Sequence, residues 1–433
     1  MAFREIKVDY IPRVEGEGAL FVNVRDGQVS DVRLNIFEPP RFFEGFLVGR
    51  GFQEVPDITA RICGICPVAY QMSSVHALEK ALGWAITPEI HALRRLLYCA
   101  EWIESHALHV YLLNAPDFLG YDSGIALAKD HRETVERGLR MKKLGNRLLE
   151  VIGGRAIHPV SACVGGFYRA PRREELVALL DDFRWGLEAS LATVRFVSTF
   201  TFPDFTPAYE FVALRHASEY AMNEGRIVSS SGLDIAAESF EYHFGEEHVE
   251  HSNALQGRRL DGGSYMVGPL ARLNLNRDRL TPLAAQAANE CGISFPSRNP
   301  FVSIVARAIE TVLAYEEAIR LIENYEEPVP PCTNGELRAG EGAAATEAPR
   351  GLLYHRYRIT RDGLVRFARI VPPTAQNLRR MEDDLRQYVP GLLDLPEDQA
   401  GLKCESLVRA YDPCISCATH FLKLHIRREV TEK

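Results

Sequence analysis

Apolar and polar positions alternate over residues 18 to 37, with Leu20, Val22 and Val24 before Asp26-Gly27 and Val32, Leu34 and Ile36 after it. Period-two alternation on both sides of an Asp-Gly pair signals two strands joined by a tight turn, so the chain opens with a β-hairpin. The period then lengthens. After Pro67, Met72, Val75, Leu78 and Leu82 recur at helical spacing up to Gly83, and Thr87-Pro88 caps a second helix with a stripe of Leu93, Leu97, Ala100 and Ile103 running to about Asn114. At the usual rise per residue that helix is about 40 Å long, which marks a core member of a bundle. Helical patterns recur over about 122 to 151, 172 to 198 and 300 to 325, the last opened by Asn299-Pro300. Residues 226 to 275, rich in Ser and Gly, read as strands and loops, and 327 to 346, with Pro328, Pro330 and Pro331, read as loop. A second hairpin is expected around Asp362-Gly363, followed by a helix carrying Leu378, Met381 and Leu385. Phe421-Leu422-Lys423-Leu424-His425 reads as the continuation of a last helix. The expected fold class is α+β, mainly α: a large helical bundle core with small β-hairpin or sheet elements near the N-terminus and before the C-terminus. No repeat or clean linker divides it, so residues 1–433 are expected to form a single domain.

Composition narrows the function more than the fold. The 433 residues carry a formal net charge of −8, which disfavours a nucleic-acid role. No basic amphipathic helix suits a membrane surface, no apolar run approaches the roughly 18 residues of a membrane span, and no apolar leader follows Met1. The expectation is a cytoplasmic protein without direct membrane insertion, unless a partner carries an export signal. Nine cysteines, four of them in tight pairs, fit metal thiolates in a reducing compartment better than a disulfide framework. Cys99, Cys163, Cys291, Cys332 and Cys404 are expected to be unligated.

The two pairs stand at opposite ends of the chain, in Arg61-Ile62-Cys63-Gly64-Ile65-Cys66 and Asp412-Pro413-Cys414-Ile415-Ser416-Cys417-Ala418-Thr419-His420. They can meet only in a finished fold, where four thiolates would suit nickel, iron or zinc and not magnesium or calcium. A structural zinc staple usually closes a loop of roughly 15 to 20 residues, so this separation favours a functional metal. Pro67 puts Cys63 and Cys66 at a helix N-terminus, where free N–H groups favour thiolate over thiol. Taken alone, Glu15 and Glu44 are solvated loop carboxylates, His106 and His109 are core histidines, His158 is a loop histidine and Arg350 belongs to a surface ion pair.

Both cysteine segments resemble the paired motifs of the nickel-iron hydrogenase large subunit, R-x-C-G-x-C near the start and D-P-C-x-x-C-x-x-H at the end, and further matches run from Arg13 to His420. The resemblance implies an enzyme that reversibly oxidises dihydrogen at a nickel-iron centre with one CO and two CN on iron. Cys63, Cys66, Cys414 and Cys417 would hold the nickel, Cys66 and Cys417 also bridging to iron. It further implies proton relay from Cys414 to Glu15, and Arg350 above the metals fixed by Asp117 and Asp412. Pro372 and Thr374 would lie beside the diatomic ligands. Glu44, His420 and the backbone carbonyl of Ile370, or of Arg369, would hold magnesium. Gly153 to His158, with Gly165-Gly166, resembles the contact with an iron-sulfur small subunit, which must carry the electrons because this chain has no cysteine spacing for an iron-sulfur cluster. Residues 421–433 match an extension that a maturation endopeptidase removes after His420.

Three positions depart from the family pattern: Tyr70 stands where a His is common, Pro373 where many members have Ser, leaving Thr374 as the nearby hydroxyl, and Glu17 where a His often follows. These departures resemble the soluble, cytoplasmic, NAD(P)-linked branch, whose partners include diaphorase subunits. Two rivals stand beside this reading: a relative of the respiratory NADH:quinone oxidoreductase subunit, which shares the fold but lacks the cysteines, and a zinc-stapled scaffold.

Overall fold

The computed structural model describes residues 3–419. The chain begins with three antiparallel strands, β1 (Phe3–Val8), β2 (Gly18–Arg25) and β3 (Gln28–Ile36), in the order β1-β2-β3. The Asp26-Gly27 turn falls where the alternation requires it, both residues at positive φ. Five long helices follow: α1 (Pro67–Leu82), α2 (Pro88–Leu108), α3 (Arg132–Gly153), α4 (Leu180–Val197) and α5 (Ser303–Glu323). A second meander, β4 (Gly340–Ala348), β5 (Gly351–Ile359) and β6 (Val365–Val371), leads into α6 (Pro373–Tyr388) and α7 (Glu397–Ala410). The expected fold class holds.

The helices α2, α3, α4 and α5 form the bundle, with α2 against α3 and α5, and α4 against α5. Polar side chains satisfy one another inside it. Arg94 on α2 donates to both oxygens of Glu79 on α1, at 2.9 and 2.6 Å, and Arg272 at 0% exposure is held by Glu310 and Glu347. α3 approaches α2 closely because position 145 is glycine: a Cβ there would lie 2.7 Å from the Ala100 carbonyl.

Several elements differ from the sequence expectations. The helix from Pro88 leaves α geometry at Leu108, runs as a π-helix over His109–Asn114 and resumes over Ala115–Leu119. The pattern over 122 to 151 splits into Gly124–Asp130 and α3 at His131, and that over 172 to 198 splits into Arg173–Val177 and α4. The supposed loop over 327 to 346 contains most of β4. Its Gly and Ala residues serve contact with α1, since a Cβ on Gly342 would lie 2.2 Å from the Ala77 carbonyl. Helices Pro269–Asn276, Pro282–Glu290 and α7 were not expected. Residues 420–433, with the helix expected from Phe421, lie outside the described residues.

Candidate metal centre

The fold brings both cysteine pairs to one buried point. Cys66 is the N-cap of α1, and Cys414 precedes the short helix Ile415–Ala418. The four Sγ atoms lie within 4.8 Å of one another; Cys63 and Cys414 are 3.5 Å apart, Cys414 and Cys417 2.7 Å. All four side chains are buried and none is in a disulfide. Four thiolates around one metal at a bond length of 2.3 Å have edges of about 3.8 Å, so the cluster has the size of a thiolate metal site. The N–H groups of Ile65 and Cys66 both donate to Cys63 Sγ at 3.3 Å. Hydrogen bonds from Cys414, Cys417 and Cys66 also push the Cys63 thiol well below its ordinary value, while burial pushes Cys414 well above it.

The C-terminal segment is pinned from several sides. Ile415 N–H donates to the Glu15 carbonyl at 2.9 Å, a bridge between the N-terminal loop and the second cysteine motif. Glu15 Oε2 receives Ser416 N–H at 3.1 Å and lies 3.0 Å from Cys414 Sγ. Thr374 Oγ1 accepts Cys414 N–H at 3.0 Å, which leaves its own O–H to donate, and Pro372 is the N-cap of α6. The last carbonyls of α7 are capped by cations and polar groups: Arg307 donates to Ala410 and Tyr411, Ser303 to Ala410, and His109 Nε2 meets Arg409 O at 2.8 Å.

Arg350 lies at the start of the turn into β5. Its Nε donates to the Asp412 carbonyl at 2.8 Å and its Nη2 to Asp412 Oδ1 at 3.1 Å, while Nη1 and Asp412 Oδ2 are buried without a partner among the described residues. Burial works against the Arg350 charge, but Asp412 and the thiols of Cys414, Cys66 and Cys63 outweigh it and hold it protonated. Burial likewise opposes the Asp412 charge, and Arg350, His109 and Arg307 overcome it. The orphaned Nη1 donor, close enough to the sulfurs to feel their charge, is what a small acceptor ligand of a thiolate-held centre would engage.

One expected contact is corrected. Asp117 does not fix Arg350; its carboxylate takes Arg409 Nε and Nη2, at 2.9 and 2.8 Å, and Arg13 Nη2 at 2.5 Å. The π-helical stretch before it displaces Asp117 toward the loop of Arg13, so it supports the segment that carries Glu15. Glu44 Oε1 accepts Ile370 N–H at 2.8 Å, joining two of the expected magnesium residues. The third, His420, lies outside the described residues, which end at Thr419, whose carbonyl receives Arg41 N–H at 2.7 Å. Tyr70 is fully buried, its hydroxyl kept protonated by burial and by the charges of Cys417, Cys66 and Cys414.

Glu101 was missed. From α2 it accepts Val68 N–H at 2.6 Å and Ala69 N–H at 3.1 Å, the free donors of the helix that starts at Cys66. Burial raises its carboxyl well above the usual range. The available signal was a carboxylate on the apolar side of α2, three residues from Glu104.

The family profile described as nickel-dependent hydrogenase matches residues 41–138 and 253–420. Sulfhydrogenase 1 subunit alpha of Pyrococcus furiosus is 34% identical over 97% of this chain and 98% of its own length. The NAD-reducing hydrogenase HoxS subunit beta of Cupriavidus necator is 28% identical over 97% of this chain and 95% of its own. Among solved structures, an NAD+-reducing [NiFe]-hydrogenase in the H2-reduced state superposes with a TM-score of 0.86 at 28% identity, covering 96% of this chain and 99% of that one. The closed set of four cysteines and the match along both halves of the chain lead to one assignment: this chain belongs to the nickel-dependent hydrogenase family.

Proposed function

We propose that the chain is the catalytic large subunit of a nickel-iron hydrogenase that cleaves dihydrogen heterolytically and reversibly. The observation that carries this reading is the 3.0 Å contact between Cys414 Sγ and Glu15 Oε2 at the edge of the four-thiolate cluster. A nickel-iron centre with CO and CN on iron, held by Cys63, Cys66, Cys414 and Cys417, would supply the Lewis acidity that dihydrogen cleavage needs. The protein supplies the base and the path. Cys414 Sγ accepts a proton and passes it to Glu15, whose Oε2 is oriented by Ser416 N–H. The fixed Arg350 guanidinium, with its spare Nη1 donor, stabilises negative charge facing the cluster, and burial keeps water from weakening it. Thr374 offers its O–H from the opposite segment, doing the work of the absent Ser.

The same reading includes magnesium at Glu44, the Ile370 backbone and His420, tying the N-terminal segment to the chain's last motif. Electrons leave through an iron-sulfur small subunit and pass to diaphorase subunits that reduce NAD(P); the likeness to the NAD-reducing relatives supports this. The enzyme is cytoplasmic in this reading; among the described residues no helix is long and apolar enough to cross a membrane. A maturation endopeptidase would remove residues 421–433, which the intact mass of active enzyme checks directly. The deciding experiment is metal analysis with infrared spectroscopy on protein purified with its partners. Nickel, iron in excess of it from the small subunit's clusters, and CO and CN bands are expected; absence of nickel and of those bands, or zinc in nickel's place, overturns the proposal.

A further inference from the structure

A proton handed from Cys414 to Glu15 must still reach water, and the N-terminal hairpin brings a second carboxylate to the same place. The register of β2 against β3 pairs Gly18 with Ile36. Continued two residues past the strand ends, it sets Gly16, the neighbour of Glu15, opposite Glu38. The side chains bear this out. Gly16 is at φ 87°, and a Cβ there would lie 2.6 Å from Glu38 Oε2 and 3.0 Å from the Ser416 nitrogen. The same Ser416 N–H donates to Glu15 Oε2 at 3.1 Å. Both carboxylates therefore border one small space over Gly16, which only a residue without a side chain leaves open.

The setting of Glu38 suits transit more than anchorage. Its backbone is held, since Asn253 Nδ2 donates to its carbonyl at 3.4 Å. Its carboxylate has no hydrogen bond or ion pair among the described residues. It is half-buried between Phe37 and Pro39, which are both exposed, so the space over Gly16 is one side chain away from bulk water. A carboxylate committed to an arginine could not take up a proton readily, whereas an uncommitted one can accept and release it in turn.

We propose that Glu38 is the second carrier of the proton, taking it from Glu15 across the space over Gly16 and releasing it at the surface of this chain. The inference rests on the hydrogenase reading and on Glu15 as first acceptor. In the step, protonated Glu15 loses H+ and returns to carboxylate, the Glu38 carboxylate becomes the acid, and its O–H then gives H+ to water. No electron moves. Links of about 2.8 Å through one or two waters span a separation of this size as well as a direct contact does.

The test uses Glu38→Gln and Glu38→Asp in enzyme assembled with its partners, with exposed Glu17→Gln as the control. D2/H2O exchange counts protons that pass between the site and water. In Glu38→Gln, exchange and dye reduction are expected to fall about 10-fold or more with nickel and the CO and CN bands unchanged. The solvent isotope effect on turnover should rise, and added imidazole, a small proton carrier, should restore part of the rate. Glu38→Asp keeps a carboxylate and should lose less; Glu17→Gln should lose nothing. Unchanged exchange in Glu38→Gln, loss of its nickel, or an equal loss in Gln and Asp variants that imidazole does not restore overturns the proposal. Glu15→Gln in the same assay separates the two readings: full exchange there removes the first acceptor, whereas exchange lost there and kept in Glu38→Gln removes Glu38 alone.

Discussion

Replacing Glu310 by Gln should destabilise the chain by about 3 kcal/mol at neutral pH. Glu310 is 0% exposed, and each carboxylate oxygen is used twice: Oε1 by Arg272 Nε and the Tyr220 hydroxyl at 2.7 Å, Oε2 by Arg272 Nη2 at 2.7 Å and His106 Nε2 at 3.0 Å. A carboxamide offers one oxygen and turns its NH2 toward groups that donate. Leaving a buried arginine without its anion costs about 3–5 kcal/mol. A second route gives the same size. Burial opposes the Glu310 charge, but Arg272 and then His106 overcome it and lower the carboxyl from 4.5 to about 2, which corresponds to about 3 kcal/mol. The loss should sit at the low end, because Glu347, pushed up to about 7 by burial, can ionise more fully once Glu310 is neutral. A depressed carboxyl contributes stability above its unfolded value and loses it as pH falls through the folded one. The gap between wild type and variant should therefore narrow as pH falls from about 5 toward 3. Urea unfolding followed by tryptophan fluorescence measures it. A loss below about 1 kcal/mol at pH 7, or a gap that does not change on acidification, would refute the reasoning. The variant should also lower activity, because Arg272 donates to the carbonyls of Ala348 and Pro349, which place Arg350.

The elements read correctly from sequence are those whose signal is local. Asp26-Gly27 and Asp362-Gly363 fix turns through their own backbone preferences, and Thr87 caps α2 with its own side chain. β4 was hidden because its residues were selected by a partner: Gly340 and Gly342 permit α1 to approach, a requirement written in the helix and not in the strand. The cysteine quartet was legible because four soft donors in two short motifs have few other uses. Which acid meets which arginine was not. Arg13, Arg272, Arg307, Arg350 and Arg409 are all buried or half-buried near the C-terminal motif or its supports, and pairing depends on the phase of helices. The π-helical turn at His109–Asn114 shifts that phase and gives Asp117 to Arg13 and Arg409. Glu101 escaped for a related reason: a carboxylate capping the N–H groups of another helix leaves no spacing to read.

Three further outcomes are expected. Cys66→Ser and Cys417→Ser should each abolish dihydrogen-driven dye reduction, since a harder oxygen donor holds a nickel-iron pair poorly; substantial activity in either removes the ligand assignment. Arg350→Lys should retain nickel and iron but lower turnover by about 100-fold, because an ammonium cannot make the two bonds to Asp412 and also keep a donor toward the cluster. Glu15→Gln isolates proton transfer, because Ser416 N–H can still be accepted by the amide oxygen and the 2.9 Å bridge from Ile415 uses the backbone. The amide cannot take a proton from Cys414 Sγ, so turnover should fall by about 100-fold to 10,000-fold with both metals present. Metal analysis and dye reduction on the same sample separate the cases: unchanged turnover means protons leave by another route, and loss of nickel means that Glu15 holds the second cysteine motif in place and does not carry its proton.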